Sequence, residues 1–164
     1  MNESGRRILF IVLCAVVFFQ TGAHVSQAFV NYPAWQFIDR SSFPAYHRAM
    51  AVPGAAVVLM GSRVVELLLA IAVLRFRPRA IGRWMLILGI GLALGGLLST
   101  VFVQRPIHAQ LETIGNTPEL LARLRTTDWI RHVFGILRAA LYLWMLWVVV
   151  NPRTDTAERS VAIH

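Results

Sequence analysis

Four of the five histidines in this chain are candidate ligands for a redox metal. Neutral imidazole binds copper, iron and zinc, and two imidazoles can hold a haem. Three glutamines could orient these rings through hydrogen bonds, as the outer partners of metal ligands do. The candidate ligands are His24, His47, His108 and His132, and the candidate supporting residues are Gln20, Gln27 and Gln104. The set predicts a copper, iron or haem site; the alternative is a group of histidines that simply lie near water and lipid headgroups.

Charged residues inside apolar segments form a second candidate site. Arg63 and Glu66 lie three residues apart in one apolar run, and Arg138 lies in another. Such residues are costly in a membrane and usually face the interior of a helix bundle. Glu66 is expected to pair with one arginine, either Arg63 on the same helix or Arg138 across the bundle. The remaining positive charge predicts a compensating carbonyl, water or bound anion.

One face of the last apolar run carries polar groups that could contact a substrate. Arg131, Arg138 and Tyr142 share this face at helical spacing. The two arginines are expected to hold an anionic or phenolate group, and Tyr142 is expected to donate a hydrogen bond to it. Glu66 would act as their counter-charge or as a proton carrier. These four residues are the candidate catalytic groups.

Four long apolar segments must position these residues. A bilayer core of about 30 Å requires roughly 20 apolar residues in a helix. The segments cover residues 8–30, 51–74, 84–104 and 129–150. They predict an all-α protein, a single domain of residues 1–164 that forms an integral membrane antiparallel four-helix bundle. Helix starts at Ser42 and Thr117 predict short interfacial helices in the outer loops, and Pro53 predicts a kink in the second helix.

The distribution of arginine predicts the orientation of the helices. Arg6, Arg7 and the loop 75–83, which holds four arginines and no acidic residue, are expected on the cytoplasmic side. Both termini then lie in the cytoplasm, beneath a bacterial inner membrane, and the loops 31–50 and 105–128 face outward. With this topology the four candidate histidines converge at the outer end of the bundle, one from each helix.

Composition excludes several classes of protein. The chain of 164 residues is 57% hydrophobic, carries a net charge of +8, and has arginine at all 16 basic positions. Because the apolar residues come in long runs, this charge does not indicate nucleic-acid binding. The single Cys14 excludes an internal disulfide and the cysteine-pair chemistry of vitamin K epoxide reductases. Gly91 and Gly95 have a spacing that predicts close helix packing, within the bundle or in a homo-oligomer formed through the third helix.

Several short motifs resemble a family of small bacterial four-helix membrane proteins of uncharacterised function. The matching stretches are Tyr32-Pro33, residues 43–47, Glu66-Leu67, residues 99–111, and Asp128 to Arg138. Asp128 and His132 stand where that family has Asn and Thr. The family is similar in layout to the anthrone-oxygenase-like membrane proteins, which include oxygenases of polycyclic aromatic molecules. The resemblance therefore implies oxidation of a lipophilic molecule.

These observations predict a membrane-embedded oxidoreductase, with oxygenase activity as the form that the resemblance implies. Its substrate would be a lipophilic molecule, able to carry negative charge, that enters from the lipid bilayer. An alternative is a non-catalytic protein that binds or transports a small molecule in a polar, arginine-lined cavity. A third hypothesis is electron transfer through a haem held between His24 and His132.

Overall fold

The computed structural model describes residues 1–50 and 57–151. Residues 51–56, which include Pro53 and the predicted start of the second span, lie outside the described residues, as do residues 152–164. Within the described ranges all regular structure is helical. This confirms the all-α class that the sequence predicts.

Four helical segments are long and apolar enough to cross a membrane. They are Glu3–Phe37, Val57–Arg75, Arg83–Ile114 and Pro118–Val150. Each contains most or all of one predicted span. Three of them extend past the predicted boundaries by two turns or more, because the chain stays helical where the sequence suggests loops.

The described residues form seven α-helices, some of which join end to end within these segments. They are α1 (Glu3–Ser26), α2 (Tyr32–Ala34), α3 (Phe43–Met50), α4 (Ser62–Arg75), α5 (Arg83–Ser99), α6 (Arg105–Ile114) and α7 (Pro118–Val150). The Asn2 side chain caps α1 by accepting a hydrogen bond from the Gly5 backbone N–H at 2.9 Å. Thr117 caps α7 in the same way, and proline follows it at the first helical position. Both caps satisfy N–H groups that have no partner within the helix.

The connections between the long segments differ from the prediction in two places. The sequence suggests a separate short helix after Thr117, but the structure continues this helix into the fourth span, because no glycine or proline interrupts it before Gly135. Similarly, α6 follows the third span directly, since Pro106 lies in the first turn of α6, where its missing N–H is not needed. Among the described residues, α3 lies outside the four long segments, with Pro44 in its first turn as expected.

Wide π-helical turns occur in three of the four long segments. They cover Gln27–Asn31, residues 57–61 and Thr100–Gln104. Such turns are rare in proteins overall, and a large share of those that occur lie at functional sites. All three contribute residues to one cavity, described below. The sequence pattern gives no indication of them.

Two apolar cores hold the helices together. The first core joins α1, α4, α5 and α7 through Phe10, Leu13, Leu86, Tyr142 and Met145, among other residues. The second core surrounds Trp35 and includes Tyr32, Phe43, Ile107, Leu111 and Leu124. The polar residues of the candidate site lie between and beside these cores.

Glycines in α5 allow it to approach α7 closely. A Cβ atom at Gly89 would lie 2.8 Å from the ring of Tyr142, and one at Gly95 would lie 2.6 Å from the ring of Phe134. Both distances are shorter than any normal contact. Gly91 has open space around it, so only part of the glycine pattern is explained by packing within the chain.

Candidate functional site

A chain of polar side chains connects α7 to α2, α6 and α3. Asp128 accepts a hydrogen bond from Arg131 Nε at 2.6 Å, and Arg131 Nη2 donates to the Tyr32 hydroxyl at 3.0 Å. The Tyr32 hydroxyl lies 3.4 Å from His108 Nε2, and His108 Nδ1 lies 2.9 Å from His47 Nε2. We call Arg131, Tyr32, His108 and His47 the polar chain. Its members come from four separate helices, α7, α2, α6 and α3.

The far end of the polar chain reaches the surface at Glu112. Its Oε1 atom lies 3.2 Å from His47 Nδ1, close enough for ionic contact although not aligned as a hydrogen bond. The Glu112 side chain is 37% exposed, whereas that of His47 is 8% exposed. Glu112 follows His108 by four residues, so both lie on the same face of α6. The chain therefore runs from a buried arginine to a carboxylate in contact with solvent.

One set of proton positions makes the polar chain a continuous series of donors. In this set Arg131 donates to Tyr32, and the tyrosine proton points to His108 Nε2, which accepts. His108 carries its proton on Nδ1 and donates to His47 Nε2, and His47 carries its proton on Nδ1, facing Glu112. Both imidazoles are neutral in this arrangement. Arg131, Tyr32 and His108 thus each donate to the next group, and the protonated Nδ1 atom of His47 lies 3.2 Å from the Glu112 carboxylate, which provides the sequence of groups that a proton relay requires.

Burial supports the neutral form of His47. Desolvation lowers the pKa of this histidine below its ordinary value of 6.5, and the nearby Glu112 carboxylate offsets part of that effect. The indole of Trp35 packs edge-on against both imidazoles, with ring centroids 5.3 Å from His47 and 5.9 Å from His108. Its other neighbours are Tyr32 and Phe43, at 4.9 and 5.4 Å. This aromatic packing fixes the orientation of the relay.

The polar chain lines a cavity of about 510 Å³. This volume lies within the range of small-molecule sites, about 300–1,000 Å³. Its lining combines members of the polar chain and Glu112 with apolar side chains such as Leu59, Met60 and Val101. We call this space the large cavity. It can accept an apolar molecule that presents one acidic or hydroxyl group to Tyr32.

A second, much smaller cavity lies behind Arg131. Its volume is about 20 Å³, and its charged and polar lining consists of Arg63, Arg131, Arg138, His24, His132 and Thr21. We call it the small cavity. Arg131 lines both spaces and so separates them.

The buried charges pair differently from the prediction. The sequence suggests a single partner for Glu66, but its carboxylate contacts both Arg63, at 2.7 Å, and Arg138, at 3.1 Å. The side chains of Glu66 and Arg138 are only 1% and 2% exposed. Arg138 Nε has no hydrogen-bond partner among the described residues. Glu66 therefore pairs with Arg138 across the helices as well as with Arg63 on its own helix, and this cluster of three side chains carries one excess positive charge.

The four predicted metal ligands form two pairs and not one cluster. His47 and His108 contact each other, but Glu112 approaches the opposite nitrogen of His47, so these three groups lie in series and do not converge on one point. His24 and His132 line the small cavity, which is far too small for a haem. Across residues 1–50 and 57–151, no group of three or more His, Cys, Asp or Glu could hold a metal ion. The arrangement does not support one metal site on all four histidines.

The remaining predicted residues have local structural partners. Gln20 donates to the Leu59 carbonyl at 3.0 Å and to Ser62 Oγ at 2.8 Å, which ties α1 to the second span. Gln27 accepts from Asn31 at 2.8 Å beside the large cavity, and Gln104 donates to Thr127 at 3.0 Å. None of the three glutamines hydrogen-bonds to a histidine side chain in these contacts.

Tyr142 also lies away from the large cavity. Its ring stacks on Phe10 in the first core, at a centroid distance of 6.3 Å. Arg131 is the predicted catalytic residue that does line the large cavity, and His132 binds Asp128 at 3.1 Å. Of these two predicted catalytic residues, Arg131 therefore lines the large cavity, whereas Tyr142 lies in the first core.

Three contributors were not among the predicted site residues. Tyr32 and Asp128 stand in the quoted motifs, but a tyrosine or aspartate alone gives no sign of its partners. Glu112 had a usable signal, its spacing of four residues from His108 on a helix. The wide turn before Tyr32, which sets the position of its ring, leaves no recognisable pattern in the sequence.

Comparison of the chain with known protein families, curated proteins and solved structures found no match. The resemblance to the anthrone-oxygenase-like proteins therefore rests on the short motifs alone. What the chain does must be argued from its own geometry.

Proposed function

We propose that this protein is a membrane-embedded oxidoreductase, an oxygenase that deprotonates a lipophilic molecule in the large cavity. The observation that carries the proposal is the polar chain, which joins this cavity to solvent through Tyr32, His108 and His47, and these three groups can each pass on a proton. The substrate class is an aromatic molecule with an acidic C–H or phenolic O–H group.

The surface of the helices supports placement in a bilayer. Large apolar side chains point outward along all four segments, including Ile8 at 63% exposure, Leu68 at 63%, Phe102 at 73% and Trp147 at 66%. Apolar exposure on this scale suits lipid and not water. We propose an antiparallel four-helix bundle in a bacterial inner membrane, with both termini and the arginine-rich loop 75–83 in the cytoplasm. The large cavity then lies near the outer surface.

Proton transfer along the polar chain would generate the reactive anion. The substrate gives its proton to the Tyr32 oxygen as the tyrosine proton moves to His108 Nε2. The Nδ1 proton of His108 passes to His47, and the Nδ1 proton of His47 passes to Glu112 and then to solvent. The substrate is left as an anion facing Arg131, whose guanidinium stabilises the negative charge.

Molecular oxygen is the oxidant in this proposal. The electron-rich substrate anion adds to oxygen to give a peroxide anion, which takes up one proton from solvent. The O–O bond then breaks, one oxygen atom becomes a new carbonyl on the substrate, and the other leaves as water with that proton and the second substrate hydrogen. For anthrone the products are anthraquinone and one molecule of water. The apolar side chains that line the large cavity would hold the aromatic rings and exclude water from the anion. No step passes through a metal, because the candidate ligands lie in series.

Anthrone oxidation tests this proposal. Purified protein in mild detergent is supplied with anthrone, and oxygen uptake and anthraquinone formation are followed together. Tyr32→Phe and His108→Gln should each lower the turnover rate 100-fold or more, in the range that general acid–base groups supply, on the order of 100- to 10,000-fold. Tyr142→Phe is the matched control, since it removes a hydroxyl from the first core and should leave the rate unchanged.

Other outcomes would redirect the assignment. Equal loss in Tyr142→Phe would show that the assay reports folding, whereas full activity in His108→Gln would remove the relay from the mechanism. Copper, iron or haem bound in stoichiometric amount and lost in His108→Gln would replace this mechanism with oxidation at a metal. Elemental analysis and an absorption spectrum of the same preparations measure this directly.

A second candidate function is non-catalytic binding or transport of a small molecule. The observation in its favour is the size of the large cavity together with Arg131 at its wall, which suits an anionic ligand whether or not chemistry follows. Saturable binding of anthrone or its oxidised product, with no oxygen uptake by any preparation, would support this function over the oxygenase.

A further inference from the structure

The small cavity has an unusual electrostatic character. Three guanidinium groups and two imidazoles line it, and none of its described lining residues is a carboxylate. Two carboxylates that do not line the cavity contact these arginines. Glu66 pairs with both Arg63 and Arg138, and Asp128 pairs with Arg131. Three arginines against two carboxylates leave one positive charge.

The excess charge has a specific location. Arg138 shares the Glu66 carboxylate with Arg63, and its Nε atom is buried with no hydrogen-bond partner in the part of the chain that the structure describes. A guanidinium N–H that is removed from water and left unpaired is destabilising. Arg138 lines the small cavity, so a group placed there lies beside the uncompensated charge.

Size limits what that group can be. The volume of about 20 Å³ exceeds the space of a single water-sized probe, roughly 10–15 Å³, but leaves no room for an organic anion. A water molecule fits this space but would not balance the charge. A monatomic anion does both, since it is small and carries one negative charge.

We propose that the small cavity is a binding site for a single monovalent inorganic anion of halide size, such as chloride. Arg138 and Arg63 hold it from one side, and Arg131 holds it from the other. Because Arg131 also donates to Tyr32 in the large cavity, a bound anion would hold this guanidinium in place behind the polar chain. The site does not depend on the oxygenase proposal, since it requires only the charges and the space.

Thermal unfolding in chloride and gluconate buffers tests the site. The protein in detergent is heated at constant ionic strength while sodium chloride replaces sodium gluconate, whose anion is too large for the cavity. The Tm should rise with chloride in a saturable manner, as it does for any ligand that binds only the folded state. Bromide should act as chloride does. A Tm that is independent of chloride overturns the proposal and leaves water as the occupant.

Arg138→Gln locates the effect. This variant keeps the Arg63–Glu66 pair and removes the excess charge, so it should unfold at or above the wild-type Tm in gluconate and show no response to chloride. Arg123→Gln, which removes an exposed arginine of the same helix, should respond as the wild type does. An unchanged chloride response in Arg138→Gln overturns the assignment to this cavity.

Crystallography provides a second measurement if Arg138→Gln fails to fold. Crystals of the wild-type protein grown in bromide should show an anomalous scattering peak in the small cavity. Crystals that give anomalous peaks only at the protein surface overturn the proposal.

Discussion

Glu66→Gln should be among the most destabilising substitutions of a single atom in this chain. The carboxylate makes contacts of 2.7 Å with Arg63 and of 3.1 and 3.2 Å with Arg138, and its side chain is 1% exposed. The amide has nearly the same shape but no charge, so two guanidinium groups are left buried side by side. Removing one partner of a buried ion pair typically costs about 3–5 kcal/mol.

Comparison with Arg138→Gln gives this prediction its control. Arg138→Gln breaks the same contact but leaves Arg63 and Glu66 as a neutral pair, so its cost should be lower by at least ~2 kcal/mol, roughly 30-fold in the unfolding equilibrium. The double variant Glu66→Gln/Arg138→Gln removes one of the two uncompensated charges and should be more stable than Glu66→Gln alone.

Unfolding in mixed micelles measures these differences. Sodium dodecyl sulfate is added to protein in mild detergent while tryptophan fluorescence and helical circular dichroism are recorded, and the free energy is extrapolated linearly to zero denaturant. If Glu66→Gln costs no more than Arg138→Gln, or if the double variant is the least stable of the three, the assignment of a positive excess at this cluster is wrong.

Two further predictions concern packing and pH. Gly95→Ala should lower the free energy of unfolding by about 1–3 kcal/mol, because its new methyl group meets an aromatic ring of α7. Gly91→Ala, which has open space around it, should leave that free energy unchanged in the same micelle unfolding assay. Equal effects of the two substitutions would contradict the packing of α5 on α7. The lowered pKa of His47 means that its folded form stays neutral below pH 6.5 while the unfolded chain takes up a proton. Stability from this group is therefore complete above pH 6.5 and is lost as the pH falls from 6.5 toward the folded pKa. His47→Gln should lack that loss, and an identical pH dependence in both proteins would show that His47 is not held neutral.

The helical class and the four apolar segments follow from the sequence because length and hydropathy decide them. Runs such as residues 84–104 contain no charged residue and are long enough to cross a bilayer core as a helix. The helix starts at Phe43 and Pro118 were also predictable, since proline and a preceding cap residue set them locally. The end of the third segment was less predictable. The chain passes from α5 through the wide turn Thr100–Gln104 into α6, and Pro106 lies in the first turn of α6 where a break was expected.

The candidate site was predictable in its residues more than in its geometry. Histidines at the ends of apolar runs suggested convergence, and His47 does meet His108. Sequence spacing could not show that Glu112 lies on the far side of His47 from His108. The three groups therefore lie in series, whereas a metal site needs its ligands arranged around one point. Sequence spacing also could not place Tyr142 in the first core, because a face shared with Arg138 says nothing about what lies opposite.

The most direct test of the central claim is the ionisation state of a phenol bound in the large cavity. Dihydroxyanthraquinone is a suitable probe, because its phenolate absorbs at longer wavelength than its phenol. At neutral pH, wild-type protein should bind the probe and shift its absorption to the phenolate band, while His108→Gln should bind it with the spectrum of the neutral phenol. A probe that remains neutral in the wild type, or that ionises equally in both proteins, would contradict proton transfer through Tyr32, His108 and His47.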